Sequence, residues 1–213
     1  MTGENKFLIG IGIITVILLI TGVFFFSKNQ PPPAASDQTI DQNTVLAGAT
    51  HAIGDQNAPL NVVEFGDFQC PACAQAEPIL KKVLSKNGQK IYFVFRHVPL
   101  STHKNARIAA QAAEAASIQG KFWEMHDLIY ENQKEWSNSG DAEEIFIRYA
   151  EKIGLDKSKF IDDIDKTTAI INDDYALGNK AGVKSTPTFF INGKKYSGVV
   201  SEATFQQLLD SIN

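Results

Sequence analysis

The sequence predicts an α/β domain, and three observations carry that prediction. A β-rich run, Leu60-Asn61-Val62-Val63-Glu64-Phe65, leads into a helical pattern and then a second apolar run, Ile91-Tyr92-Phe93-Val94-Phe95. Two strands joined by a helix pair in parallel. After a long helical stretch, sheet character returns in Thr188-Phe189-Phe190-Ile191, where Asn192-Gly193 marks a hairpin turn.

The chain has 213 residues and a formal net charge of -4. Phe7 to Phe26 reads FLIGIGIITVILLITGVFFF, without a charge. At ~1.5 Å per helical residue it spans roughly 30 Å, the hydrocarbon thickness of a bilayer. A cleaved signal peptide has a shorter apolar core, about 7–15 residues, and ends in small residues; this run ends in Phe24-Phe25-Phe26. Residues 1–27 are therefore expected to be an uncleaved single-pass anchor. Residues 28–47, polar and containing Pro31-Pro32-Pro33, are expected to be a linker. Residues 48–213 are expected to form one domain, with a helical insertion over about 102–182. Mild acidity without a basic patch excludes nucleic-acid binding.

Within the domain, Pro71 suits the first helical position with Cys70 as N-cap, and Asn87-Gly88 stops that helix. In the helical block, Ala106 to Ser117 is alanine-rich. Lys121 to Glu131 places Phe122, Met125 and Ile129 at helical spacing. Asp141 with Glu144 reads as a capping box for a helix over Ile145 to Ile153. Lys194 to Gly198 returns from the hairpin turn. Ser201 caps a last helix that carries Phe205, Leu208, Leu209 and Ile212 on one face.

Cys70 and Cys73 are the only cysteines, in Cys70-Pro71-Ala72-Cys73 at the start of the predicted helix. The helix N-terminus stabilises thiolate at Cys70, and Cys73 is placed to attack a mixed disulfide formed there. A purely structural disulfide across so short a loop gains little chain entropy. A structural zinc site needs four ligands, while His51, His97, His103 and His126 are scattered. No metal and no cofactor are expected.

Three further signals accompany the pair. Pro187 precedes a buried strand and removes a backbone donor there, and the adjacent Thr186 is a candidate to pair with an extended substrate chain. Glu64 lies in an apolar strand, an expensive place for a charge, and Glu77 lies one turn beyond Cys73; either carboxylate can relay the Cys73 proton or tune its pKa. Phe65, Phe68, Phe93, Phe95, Phe122, Trp123 and Phe189 are expected in the core, with Phe68 the best candidate among them to rim an apolar substrate groove. Asp67 is expected to shape the turn before Cys70, and His97 to pack.

These motifs resemble the thioredoxin-fold disulfide oxidoreductases of the DsbA type, in particular membrane-tethered members. The resemblance covers roughly Gly54 to Ile212. It rests on Gly54…Asn57-Ala58-Pro59, Val63 to Cys73, Phe95-Arg96-His97-Val98-Pro99-Leu100, Gln119 to His126, and Gly182 to Gly193. It implies a thioredoxin-like fold with a helical insertion, Cys70 as nucleophile, Cys73 as resolving thiol and Pro187 as a cis-proline. Glu64 and Glu77 fall where the family's oxidase carries acidic residues. The chain departs from the best-known oxidases at Ala72, where they carry a histidine that helps stabilise the thiolate.

The resemblance further implies a monomeric enzyme that introduces disulfides into exported polypeptides carrying cysteine thiols. A membrane thiol oxidase would reset it. A tethered reductase fed by an electron carrier, or an isomerase, uses the same residues, and a non-catalytic chaperone module is a third reading. A redox domain behind one anchor is expected on the extracytoplasmic side of the cell membrane.

Overall fold

The computed structural model describes residues 35–212. The predicted anchor lies outside them, and among the described residues no helix is long and apolar enough to cross a membrane. Strands β1 (Ala35–Thr39), β2 (His51–Ile53), β3 (Leu60–Gly66), β4 (Ile91–His97), β5 (Thr188–Ile191) and β6 (Lys194–Ser197) form a six-stranded sheet in the order β1-β6-β5-β3-β4-β2. β3 and β4 are parallel, joined by helix α2 (Pro71–Asn87); the other neighbouring pairs are antiparallel.

β3 is buried along its whole length, between β4 and β5. Successive side chains of a strand point to opposite faces. Leu60 and Val62 accordingly enter one hydrophobic cluster, with Cys70, Cys73, Phe93 and Phe95, while Val63 and Phe65 enter a second, with Val94 and Phe190. Glu64 shares the parity of Leu60 and Val62. It therefore points to the face that carries the cysteines.

The helical block comprises α3 (Ala106–Ile118), α4 (Phe122–Glu131), α5 (Gln133–Trp136), α6 (Ala142–Lys152), α7 (Lys157–Ile164) and α8 (Thr168–Lys180), and α9 (Glu202–Asp210) follows the hairpin. α3 is its hub: Ala109, Ala112, Ala113 and Ala116 are fully buried, and their small side chains let α4, α6 and α7 pack close. The hairpin turn has φ of 46° at Asn192 and 80° at Gly193, the conformation that selects Asn-Gly. Ser201 caps α9 by accepting the Thr204 N–H.

Two expectations need correction. The expected linker, residues 28–47, is folded from Ala35 onward: β1 pairs with β6, and a short helix, α1 (Gln42–Leu46), buries Val45 completely. Arg96 holds this segment, donating to the carbonyls of Val45, Ala47 and Gly48 while pairing with buried Asp174 at 2.8 Å. None of those partners is local, so the linker's polar composition concealed them. The capping box at Asp141 does not form either. The helix begins at Ala142, and Asp141 makes no side-chain cap, its own N–H donating to Ser139 Oγ instead.

Candidate active site

Cys70 has extended backbone angles and Pro71 opens α2, so the thiol sits at the helix N-terminus. Both cysteines are free and buried. The Cys70 thiol donates to the Thr186 carbonyl at 3.2 Å, across the cis Thr186-Pro187 peptide bond. The Cys70 pKa is lowered from 9.0 to about 5: the Cys73 thiol donates to its sulfur, and the Thr186 hydroxyl and the N–H groups of Ala72 and Cys73 add to that, outweighing burial. The Thr186 hydroxyl is buried and makes no hydrogen bond, which leaves it free for the thiolate. Helix start, Cys73 and Thr186 together do the work a histidine at position 72 would share.

Cys73 behaves in the opposite way. Burial, its donation to Cys70 and the nearby Glu64 raise its pKa well above the usual thiol value; the Asp67 N–H, 3.5 Å from Sγ, only partly offsets this. The pair is thus split into a stable thiolate and a thiol that keeps its proton.

The loop before the pair is braced from behind. Asp67 shapes it as expected: Oδ1 accepts the Gln69 N–H at 2.7 Å, and Oδ2 accepts the Leu100 N–H and His103 Nδ1. Two side-chain amides bolt the loop to the helical block. Gln133 Nε2 donates to the carbonyls of Phe68 and Cys70, at 2.7 and 3.0 Å. Gln69 Nε2 donates to the Ser137 carbonyl while its Oε1 accepts the Asn105 N–H. Nothing local in the sequence points to Gln133 or Asn105; their partners lie 65 and 36 residues away.

Phe68 is corrected from substrate rim to core. It is buried, with ring centroids 4.8 Å from Tyr130, 5.3 Å from Phe95 and 5.5 Å from His126. A fully packed ring has no face left for a substrate. Gly66, beside it, has no room for a side chain: a Cβ there would lie 2.5 Å from the Phe95 ring.

Beneath Cys73 the structure gathers four ionisable groups. Glu64 is fully buried and its pKa is raised by burial, then by Glu77 and Cys70; its Oε2 has no hydrogen-bond partner. Burial also raises Glu77, against the attraction of His126 and Lys81. Tyr130 is raised well above the usual phenol value by burial and by Cys73, Glu64 and Glu77. The fourth, His126, was not legible as part of the site from the sequence.

Among the described residues, two clusters each bring three imidazole or carboxylate atoms within 4.8 Å of one another: His51, His97 and Glu114, and separately Glu77, His126 and Asp127. In the first, both Nε2 atoms donate to Glu114 Oε1 at 2.6 and 2.7 Å, which is hydrogen-bond geometry. His97 therefore serves the core.

Comparison with known proteins agrees with this geometry. The profile of the Thioredoxin family matches residues 46–211. The chain is 42% identical over 151 residues to Na(+)/H(+) antiporter NhaA 1 of Salinispora arenicola; the match covers 70% of this chain but 22% of that protein, so this chain spans less than a quarter of that relative. Among solved structures it is similar to the thiol-disulfide exchange protein alpha-DsbA2 of Wolbachia pipientis, with a TM-score of 0.70 at 22% identity, over 81% of this chain and 91% of that one. A thioredoxin-like oxidoreductase of Silicibacter pomeroyi aligns with a TM-score of 0.65 at 26% identity, over 81% and 97%. The chain belongs to the thioredoxin family, with its cysteine pair placed at the opening of α2.

Proposed function

We propose that the protein is an oxidase: its Cys70-Cys73 disulfide is passed to exported polypeptides bearing cysteine thiols. The observation that carries this reading is the Cys70 thiolate, held at a pKa of about 5. At pH 7 that is roughly 100 thiolates per thiol. Whatever stabilises the reduced pair makes the oxidised pair more eager to accept electrons.

The exchange has two steps. A substrate thiolate attacks Cys70 Sγ, the Cys70-Cys73 bond breaks, and Cys73 leaves as a thiolate that takes up a proton. A second substrate thiolate then attacks the substrate sulfur of the mixed disulfide, and Cys70 leaves as thiolate. Two electrons pass from the substrate's thiols to the enzyme. Glu64 is suited to supply the Cys73 proton, since burial raises its carboxyl pKa and it lies close enough to that sulfur to influence it. Thr186 is suited to bind substrate once its carbonyl is released by Cys70.

On this reading the Phe7–Phe26 run tethers a monomeric domain to the outer side of the cell membrane, near emerging substrates and a membrane thiol oxidase that resets the pair. The test is an equilibrium titration of the full chain against glutathione. A potential toward about -120 mV supports an oxidase, whereas one near about -270 mV makes this a tethered reductase. Cys70→Ser must abolish exchange; retained function in that variant would point to a non-catalytic binding module.

A further inference from the structure

Cys73 is sealed from solvent, yet the proposed exchange requires it to gain a proton in one direction and lose it in the other. Glu64 can exchange that proton locally, but Glu64 is itself fully buried. A route from Glu64 to water is therefore needed, and the buried polar atoms without partners mark one. Among the described residues such atoms include Glu64 Oε2, Tyr130 Oη and His126 Nε2. Buried groups of this kind call for a catalytic role or a bridging water. All three belong to the site beneath Cys73: Tyr130 feels the charges of Cys73, Glu64 and Glu77, and the His126 and Tyr130 rings are 5.0 Å apart.

His126 has the geometry of an exit. It is 1% exposed, wedged among Phe95, Trp123 and Tyr130. Its Nε2 faces inward, 4.0 Å from Glu77 Oε2, a gap that a small shift or one water closes. Its Nδ1 faces outward and hydrogen-bonds Asp127 Oδ1 at 3.1 Å. Asp127 is 40% exposed and pairs with Lys81 at 2.9 Å. A cleft of 290 Å³, lined by Ala74, Glu77, Pro78, Lys81, Tyr130 and Glu131, lies alongside. An imidazole with one nitrogen toward a buried acid and the other toward a surface carboxylate moves a proton by exchanging tautomers.

We infer that His126 is the outlet of a proton path that runs from Cys73 through Glu64, Tyr130 and Glu77 to Asp127 and solvent. When Cys73 leaves as thiolate it takes the Glu64 proton. Glu64 regains one through Tyr130 and Glu77, with water bridging where the gaps exceed a hydrogen bond. His126 donates from Nε2 to Glu77 and recovers a proton at Nδ1 from the Asp127 side. One solvent proton is consumed per Cys73 thiolate neutralised, and the electrons move only between sulfurs. The titratable groups set against His126 are Glu77 from α2 and Asp127 and Tyr130 from α4, with Lys81 of α2 pairing both Asp127 and Glu131 beyond them; the remaining neighbours named are aromatic.

The inference rests on the proposed role of Glu64 and is tested separately from it. Reduction of the full-length oxidised chain by dithiothreitol is followed by stopped flow from pH 6 to 9, for wild type and for His126→Ala, His126→Gln and Glu64→Gln. The expected result is a tenfold or greater slowing in both His126 variants, steepening as pH rises. The equilibrium potential and the Cys70 thiolate absorbance should be unchanged, and added imidazole should restore the rate of His126→Ala. A merely structural histidine would instead move the potential or the absorbance, and imidazole would not restore the rate; that result overturns the inference. Normal rates in the His126 variants with a slow Glu64→Gln overturn the outlet alone. Normal rates in all three overturn the Glu64 reading as well. His126→Gln keeps a polar side chain of similar reach, so the test survives if the alanine variant folds poorly.

Discussion

Glu64 and Glu114 are nearly equally hidden, at 2% and 4% exposure, yet they sit in opposite electrostatic states. Burial pushes the Glu114 carboxyl up too, but donation from His51 and His97 overrides it and brings the pKa to about 2. Glu64 has no such donors at Oε2, and burial plus neighbouring Glu77 and Cys70 raise its pKa. The lesson is that burial sets the cost of a charge and partners decide whether it is met. A carboxylate with its partners in place is a strut, whereas one left without them beside a sulfur is a proton store.

The largest expected effect breaks the strut. Glu114→Leu strands two buried imidazole N–H groups and should cost about 3–5 kcal/mol, read from the denaturant midpoint at pH 7. Glu64→Gln should cost nothing or stabilise by about 1 kcal/mol, because it removes a burdened acid. Equal losses in the two would erase the distinction. The pH dependence sharpens it. The Glu114 pKa is depressed from 4.5 to about 2, so its contribution is complete above pH 4.5 and is lost as pH falls toward 2. The Glu64 pKa is raised, so its contribution is complete below 4.5 and is lost as pH rises through the folded value. Glu114→Leu should therefore flatten the acid limb of the stability curve, and Glu64→Gln should lift the neutral and alkaline limb.

The next effect is kinetic and belongs to Glu64 alone. Removing a proton donor of this kind slows a proton-coupled step by about 100-fold. Exchange with a thiol substrate should fall by that order in Glu64→Gln, while a version of Glu114 that still folds, Glu114→Gln, stays within about threefold of wild type. A larger loss in Glu114→Gln would mean that the strut also carries chemistry.

The contrast between the two glutamates was only half legible in the sequence. Glu64 stood out because a charge interrupts an apolar run, and the helix start at Pro71, the strands β3 and β4, and the Asn192-Gly193 hairpin are all written in contiguous residues. Glu114 gave no signal. It lies in an alanine-rich helix, and its partners are 63 and 17 residues away. The same holds for β1, α1 and β2, short segments whose anchors sit across the sheet, and for the choice between core and groove rim at Phe68, which only the packing of Tyr130 and His126 against it decides. Pattern reports what neighbours in sequence share; hydrogen bonds that close across the fold leave no periodic trace.

A smaller effect concerns the other split pair, Cys70 and Cys73. Because donation by Cys73 is the largest influence on Cys70, Cys73→Ala should raise the Cys70 pKa more than Thr186→Val does, the latter by about one unit. Thiolate absorbance against pH measures both. The sign for stability follows: the Cys70 pKa is depressed, so the reduced protein gains stability as pH rises from about 5 to 9.0, and each substitution narrows that window from below. A Thr186→Val effect larger than that of Cys73→Ala would invert the order of the two donors.

The smallest expected effect tests whether the helical block only covers the site or also holds it. Gln133→Leu removes the amide that donates to the Phe68 and Cys70 carbonyls. The net worth of such bonds is about 1 kcal/mol each, so the global loss should stay within about 1–2 kcal/mol. That loss falls at one end of the Cys70 loop, while Asp67 and Gln69 still brace the rest. Amide exchange at Phe68 to Ala72 should therefore quicken more than exchange in β3, in proportion to local opening. Uniform quickening across the domain would make Gln133 an ordinary stabilising contact. Quickening confined to the loop would show that the block fixes Cys70 against Thr186, the contact through which the thiolate is held.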